Sequence, residues 1–370
     1  MAPSGGDERE SRTIVLGLMA DPGLPELVAT RLGDTLPGKL SENIDAAVRW
    51  EVSVIRETLP LDADGDVQLE RYSKDLKQRH HWDLLVYVTD LPRYVGNEPL
   101  VSDVNVAQGV CLISLPALGW PRVRRRTLQA VLHAVAHMIE ASSAEEPADD
   151  ENADRLAPVH GVFSSARDDG KYSYLSGLRG RLRLMLGMIR SNQPGRLLPS
   201  LSSATAAAIG TGAFGIFYAS IWNMADSSSP LRLAGISVLA VVSMTAWLIG
   251  YNGLWDRRRL HGLAGRAGMD NVATAITVVL SVAAMYLILF AVLFLGSLAV
   301  ISGDYLQSQL KHPVSPIDYA RLAWLASSLG TFAGALGSSF DSDESIREAT
   351  YSRRQQERRK LADETSGGRE

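Results

Sequence analysis

The 370-residue chain has a single cysteine, Cys111. One thiol excludes a disulfide framework and any thiolate-rich zinc or iron–sulfur centre, which need several at set spacings. Lysine is scarce too, six against 31 arginines. With Ala and Gly abundant, that imbalance suggests GC-rich coding, so the arginine excess does not by itself point to nucleic acid. No P-loop is present, and Ser, His and Asp occur without a nucleophile elbow. Charge is missing from one region in particular: residues 201–301 hold only eight charged side chains, none in the middle of a long apolar run. Residues 1–160 carry a net −10 and residues 161–370 a net +6. The mean hydropathy of +0.01 therefore averages two unlike halves.

What is there, in the second half, is apolar length. Leu201–Met224, Leu231–Tyr251, Val272–Ile301 and Tyr319–Phe340 each reach the roughly 20 residues a spanning helix needs. Arg232 and Arg321 stand at span starts, where they can snorkel, and Trp222, Trp247, Trp255 and Trp324 include rings near span ends. Arg179, Arg181, Arg183, Arg190 and Arg196 precede the first span; Arg257, Arg258, Arg259 and Arg266 follow the second. Arg347, Arg353, Arg354, Arg358, Arg359 and Lys360 follow the fourth, against Arg232, Lys311 and Arg321 on the alternate side. By the positive-inside rule both termini are cytoplasmic, in a multi-pass protein of a bacterial inner membrane. The opening MAPSGGDERESR has no apolar h-region, so no signal peptide is expected. No ionisable residue lies near a span centre, which weighs against a proton relay or ion path.

The fourth span carries Ala326, Gly330, Gly334 and Ser338 at intervals of four, and the first carries Ala204, Ala208 and Gly212. Small residues at this spacing let helix backbones approach, either within the bundle or between two copies of the chain through the fourth span. Gly210-Thr-Gly212-Ala-Phe-Gly215 matches G-x-G-x-x-G by letter, but it lies inside an apolar span with no preceding strand. The dinucleotide reading fails on that ground.

The first half reads as alternating strands and helices. Thr13–Met19, Val48–Glu57, Trp82–Thr89, Leu100–Val106 and Gln108–Leu115 have strand character; Pro25–Leu40, Asp66–His81 and Pro121–Ser142 have helical spacing. That order gives a mixed-sheet α/β domain. Cys111 sits in an apolar strand, where burial is the simpler reading and a reactive thiol the alternative. The last helix holds His133-Ala-Val-Ala-His137, two imidazoles one turn apart on one face. Leu128, Val131, Leu132, Val135 and Ile139 form the apolar stripe, and at 100° per residue the histidines point away from it with Arg126, Gln129 and Glu140. They are expected to face solvent or a cleft, as a solvated pair or as two ligands of one zinc ion.

GVCLISLPAL followed by RRTLQAVLHAVAHMIE resembles the core of the archaemetzincin and metzincin metallopeptidases over about 100 residues. There a strand-rich sheet precedes a helix carrying H-E-x-x-H-x-x-G-x-x-H. The resemblance implies a zincin-like fold with His133 and His137 at the metal-ligand positions. The general-base position is Ala134, the glycine position Glu140 and the third-histidine position Ser143. Without the glutamate that takes a proton from metal-bound water, the resemblance implies a degenerate domain with no catalytic residue. A rescue needs Glu140 as base and a third ligand such as His160 or an acid from Glu145–Asp154. The whole chain also resembles an uncharacterised group of bacterial four-span membrane proteins with a cytoplasmic N-terminal domain, which bears on architecture alone.

Residues 171–198 read as a basic amphipathic juxtamembrane helix. Leu175, Leu178, Leu182, Met185 and Ile189 lie on one face and Arg179, Arg181, Arg183 and Arg190 on the other, suited either to anionic lipid head groups at the inner face or to packing on the domain. The expected organisation is a disordered 1–11, a zincin-like α/β domain over 12–165, that helix, an all-α four-helix transmembrane domain over 201–340 and a basic cytoplasmic tail over 341–370. The function expected is that of a non-catalytic, membrane-anchored binding or regulatory module. It has no organic cofactor, an unknown protein partner and no nucleic acid. A membrane-tethered metal-dependent hydrolase, with zinc on His133 and His137, and a small-solute transporter or channel component are the alternatives.

Overall fold

The computed structural model describes residues 12–62, 66–96, 98–143, 162–167, 170–192, 199, 201–255 and 264–338. The expected disordered start, the acidic run Glu145–Asp154, His160, Arg196, Arg257–Arg259 and the basic tail lie outside the described residues. The chain divides into two compact units at the Ser191–Asn192 junction.

The N-terminal unit is built on β1 (Thr13–Ala20), β2 (Arg49–Arg56), β3 (Leu84–Thr89), β4 (Tyr94–Val95), β5 (Glu98–Asn105), β6 (Val110–Ser114), β7 (Val162–Arg167) and β8 (Gly170–Leu175). The sheet order is β2-β1-β3-β6-β5-β8-β7, with β4 pairing β5 off the path. The first four strands in that order are parallel and the remaining pairs antiparallel. Both the α/β class and the mixed sheet are therefore present. Every residue of β3 and β6 is buried, as parallel strands covered on both faces require.

The helices of this unit are α1 (Leu24–Gly33), α2 (Leu36–Asn43), α3 (Leu69–His80), α4 (Leu115–Leu118), α5 (Val123–Ser143) and α6 (Gly177–Asn192). On one face of the sheet Met19, Leu85, Tyr87, Val110 and Leu112 meet Leu69, Leu76 and Trp82 from α3 and its C-terminal loop. The Trp82 ring lies so close over β1 that a Cβ on Gly17 would come within 2.2 Å of it. On the other face α1 packs on β1, β2 and β3, and α5 on β5 and β6, with α2 and α4 beside it.

Two expectations need correction here. The helix predicted over 25–40 is two helices, because the chain leaves α1 at Asp34 and restarts with Pro37 in the first turn of α2, a position that suits proline's fixed φ. Residues 171–175, expected in the juxtamembrane helix, form β8, and the helix starts at Gly177. The alternation around Tyr172 and Tyr174 is strand spacing: both rings lie near one another, and Phe163 of β7 stands 5.9 Å from Tyr174.

The C-terminal unit is all-helical among its described residues: α7 (Ser202–Phe217), α8 (Ala219–Ser227), α9 (Pro230–Tyr251), α10 (Ala264–Val300), α11 (Gly303–Leu310) and α12 (Pro316–Gly337). Two helices, Pro230–Tyr251 and Gly268–Val300, are long and apolar enough to cross a membrane. A third crossing is reached if α7 and α8 form one span, but they meet at an 87° bend. The expected continuous span Leu201–Met224 is thus broken at Tyr218, which is extended. Past the bend the Trp222 indole N–H donates to the carbonyl of Gly215 at 3.1 Å, folding α8 back against the end of α7. Large apolar side chains face outward on α9 (Leu231, Val238, Leu239, Val242) and on α10 (Leu280, Leu287, Ile288, Leu295), far more than a water-facing surface carries.

The expected fourth span, Tyr319–Phe340, coincides with α12, which falls short of the same apolar criterion. Its position explains its composition. α12 is the central helix, packed on α7, α8, α9 and α10, with Leu322, Ala323, Ala326, Ser327, Ser328, Gly330 and Thr331 buried. A helix surrounded by other helices can carry serine, threonine and glycine where a lipid-facing one would carry leucine. Ser328, Ser237 and Tyr286 share hydroxyl hydrogen bonds of 2.9–3.2 Å, and the Trp324 indole donates to Ser237 Oγ at 2.6 Å. This network ties α9, α10 and α12 together with each polar group satisfied.

Candidate functional site

β6 leads through α4 directly into α5, so the histidine helix follows the sheet in the order the sequence implies. The His133 and His137 rings are 4.5 Å apart and edge-to-face. His133 does not lie on a solvent face, being only 6% exposed within the buried run Ala130–Ala136, and His137 is half-buried. The helical-wheel expectation fails because α5 is enclosed on several sides, by β5 and β6 and by α1, α2 and α4. Ala134, between the two histidines, is completely buried. Glu140, the candidate substitute base, is exposed and so does not share the environment of His133. Among the described residues no third His, Cys, Asp or Glu joins the pair as a ligand group.

In parallel α/β sheets ligands enter at the carboxyl ends of the strands where the crossover direction reverses. Here that point lies between β1 and β3, and it is closed. Asp21, directly after β1, is fully buried. Its Oδ1 accepts from the Tyr87 hydroxyl and its Oδ2 from the Thr89 hydroxyl, both at 2.6 Å, while its N–H donates to Val88 at 3.0 Å. In the sequence, Asp21-Pro22-Gly23 has only the composition of a turn. The spacing of Tyr87 and Thr89 on one face of an apolar strand was the available signal. The clasp holds two strand ends together with its hydrogen bonds satisfied.

Cys111 is fully buried in β6, and burial, with Asp103 nearby, pushes its thiol pKa well up. That is an inert thiol.

α6 has two occupied roles on two faces. Leu184, Met188 and Ile189 are buried, and a Cβ on Gly187 would come within 2.0 Å of the Pro116 carbonyl oxygen, so this face is fitted to α4. Leu178, Leu182 and Leu186, one turn apart, point outward at 75%, 46% and 48% exposure. Arg179 and Arg181 are exposed. Arg183 and Arg190 are half-buried, and desolvation lowers both pKa values, with Arg126 adding repulsion at Arg183. The Arg190 guanidinium lies 5.9 Å from the Trp120 ring centroid.

The small-residue stripe of α12 packs inside the unit. A Cβ on Gly330 would approach the Ala208 carbonyl oxygen to 2.4 Å, one on Gly334 the Ala204 oxygen to 2.9 Å, and one on Gly215 the Ala326 Cβ to 2.6 Å. Ser338 is buried, with its hydroxyl donating to Ala335. Two glycines of the G-x-G-x-x-G coincidence do the same work, Gly215 against Ala326 and Gly212 against Leu293, while Gly210 faces open space.

One cluster has no precursor in the sequence reading. Asp226 at the end of α8, His312 in the α11–α12 connection and Asp318 in the first turn of α12 bring three ligand atoms within 4.8 Å of one another. His312 Nε2 is 3.3 Å from Asp226 Oδ1, and Arg321 Nη1 is 3.8 Å from the same oxygen. The hydrogen bond to the Pro313 carbonyl raises the His312 pKa, desolvation opposes it, and the hydrogen bond and charge of Asp226 add to the rise. Separations of 86 and 92 residues leave no motif to find. Comparison with family models, curated proteins and solved structures gives no match.

Proposed function

We propose that the chain is a multi-pass protein of a bacterial inner membrane whose N-terminal unit is a degenerate, zincin-like binding or regulatory module without catalytic activity. The observation that carries this is α5: His133 sealed at 6% exposure beside a fully buried Ala134, with Glu140 on the outside. A hydrolytic zinc site needs an open coordination position and a base beside it, and this arrangement offers neither to a substrate. The zincin-like reading itself is supported by the mixed sheet that feeds the histidine helix through β6.

Four crossings remain the reading for the C-terminal unit, with α7–α8 and α12 as the first and fourth. The interior position of α12 supports counting it despite its polar content. The arginine distribution supports placing both termini in the cytoplasm, and with them the outward leucines of α6 against the anionic inner leaflet. A homo-oligomer would use a face other than the α12 stripe that α7 fills.

The test uses the full chain purified in detergent with a tag free of histidine. Expected are no peptidase activity and a metal content unchanged by His133→Ala or His137→Gln. Zinc that disappears with either substitution, accompanied by peptide hydrolysis, would overturn the reading in favour of the hydrolase.

A further inference from the structure

The connection between α11 and α12 is short and polar, and nothing in its sequence, Lys311-His312-Pro313-Val314-Ser315, announces a site. Its hydrogen bonding does. His312 Nδ1 lies 2.9 Å from the Pro313 carbonyl oxygen. A carbonyl only accepts, so Nδ1 carries the proton and donates it. Neutral imidazole then has a bare lone pair on Nε2, and that lone pair faces Asp226 Oδ1 at 3.3 Å. Two acceptors at this distance repel unless positive charge lies between them. The charge is either a second ring proton or a metal ion.

We propose that Asp226, His312 and Asp318 form a site for a divalent first-row cation of the zinc type, which would clamp the end of α8 to the start of α12.

Three features fit the ion. Histidine ligands commonly donate their remote N–H to a backbone carbonyl, which fixes tautomer and ring orientation, and the bond to Pro313 does this. Asp318 is also pre-oriented: its Oδ2 accepts from the Ser315 N–H at 2.7 Å and the Ser315 hydroxyl at 3.0 Å, leaving Oδ1 free of any hydrogen bond among the described residues. Finally, ligands about 2.1 Å from a tetrahedral ion lie about 3.4 Å apart, close to the observed His312–Asp226 separation. One imidazole with two carboxylates suits zinc, cobalt, nickel or manganese better than calcium or magnesium, which take oxygen. The fourth position would be water. His312 also forms one wall of an open hollow of about 450 Å³, lined by Asp304, Gln307, Ser308, Lys311 and Pro313.

Arg321 is the competing cation. Its 3.8 Å approach to Asp226 Oδ1 partly neutralises the carboxylate and opposes a second positive charge. Arg321→Gln should therefore tighten metal binding about fivefold at low salt.

The site is independent of α5, and the test keeps the two apart. The full chain in detergent, with a tag free of histidine, is stripped with chelator and titrated with Co²⁺ and Zn²⁺. Expected are one equivalent of Co²⁺ with the intense visible bands of tetrahedral coordination, displaced by Zn²⁺, and retained in the His133→Ala, His137→Gln double variant. His312→Ala should weaken binding by about 100-fold or more, and Asp226→Asn should weaken it while preserving shape and volume. Zn²⁺ should raise the thermal midpoint of the native chain but not of His312→Ala, and an unchanged circular dichroism spectrum certifies that the variants fold. No equivalent above the detergent blank would overturn the proposal and leave His312 as the protonated partner of Asp226. Binding that survives His312→Ala, or is lost with the α5 histidines, would overturn it equally.

Discussion

Asp21 shows how one side chain can define the character of a sheet edge. Its two oxygens take hydroxyl donors from Tyr87 and Thr89 inside the dry interior, where a lost partner costs the full desolvation of the group left behind. Asp21→Ala is expected to cost about 2–4 kcal/mol, because two hydroxyls lose their acceptor, and Tyr87→Phe about 1–3 kcal/mol, because a buried acceptor is left without its donor. Native-state hydrogen exchange at the β1 and β3 amides would show the difference as a loss of protection. Cys111 gives a second expectation at this scale. Burial holds its thiol pKa well up, so a maleimide should leave the folded chain unlabelled and add one label after denaturation. Labelling of the native state would contradict the burial.

At the scale of elements, the parallel strands were legible because their physics is local. Thr13–Ala20, Leu84–Thr89 and Val110–Ser114 are short runs of branched and apolar residues, which only a doubly covered strand requires. The β7–β8 hairpin was not legible. Its strands carry serine and glycine, with Phe163, Tyr172 and Tyr174 as the main apolar content; β8 is stabilised by pairing with β5 and β7 by pairing with β8. The break at Tyr218 was equally silent, since the residues around it are apolar on both sides and the bend is set by tertiary partners of Trp222. The histidine face of α5 was misread for a related reason: a wheel divides a helix into two faces, while α5 is covered on more than one. α6 allows the two-faced reading to be checked. Gly187→Leu should drive the helix off α4 and destabilise the N-terminal unit by about 1–3 kcal/mol. A fluorophore at position 182 should be quenched by brominated lipid in reconstituted vesicles, and the same probe at position 184 should not. Equal quenching at both would mean that the helix does not lie on the bilayer with its outer leucines inward.

For the whole molecule, the division into an acidic α/β unit and an apolar helical unit was readable from composition, because burial in protein and burial in lipid ask for different sequences. The Asp226–His312–Asp318 cluster was not readable, since it exists only where the end of α8 meets the start of α12, 86 residues on in the chain. Topology can be settled by thiol accessibility. Cysteine introduced at Gly38 and at Ser302 should be labelled from opposite sides of a sealed inner-membrane vesicle, and labelling from the same side would remove the four-crossing arrangement. The native sequence makes that experiment unusually clean. With its single thiol locked inside β6, the folded protein should already behave as a thiol-free background. Any cysteine placed on its surface reports alone, with no need to alter the core that keeps Cys111 silent.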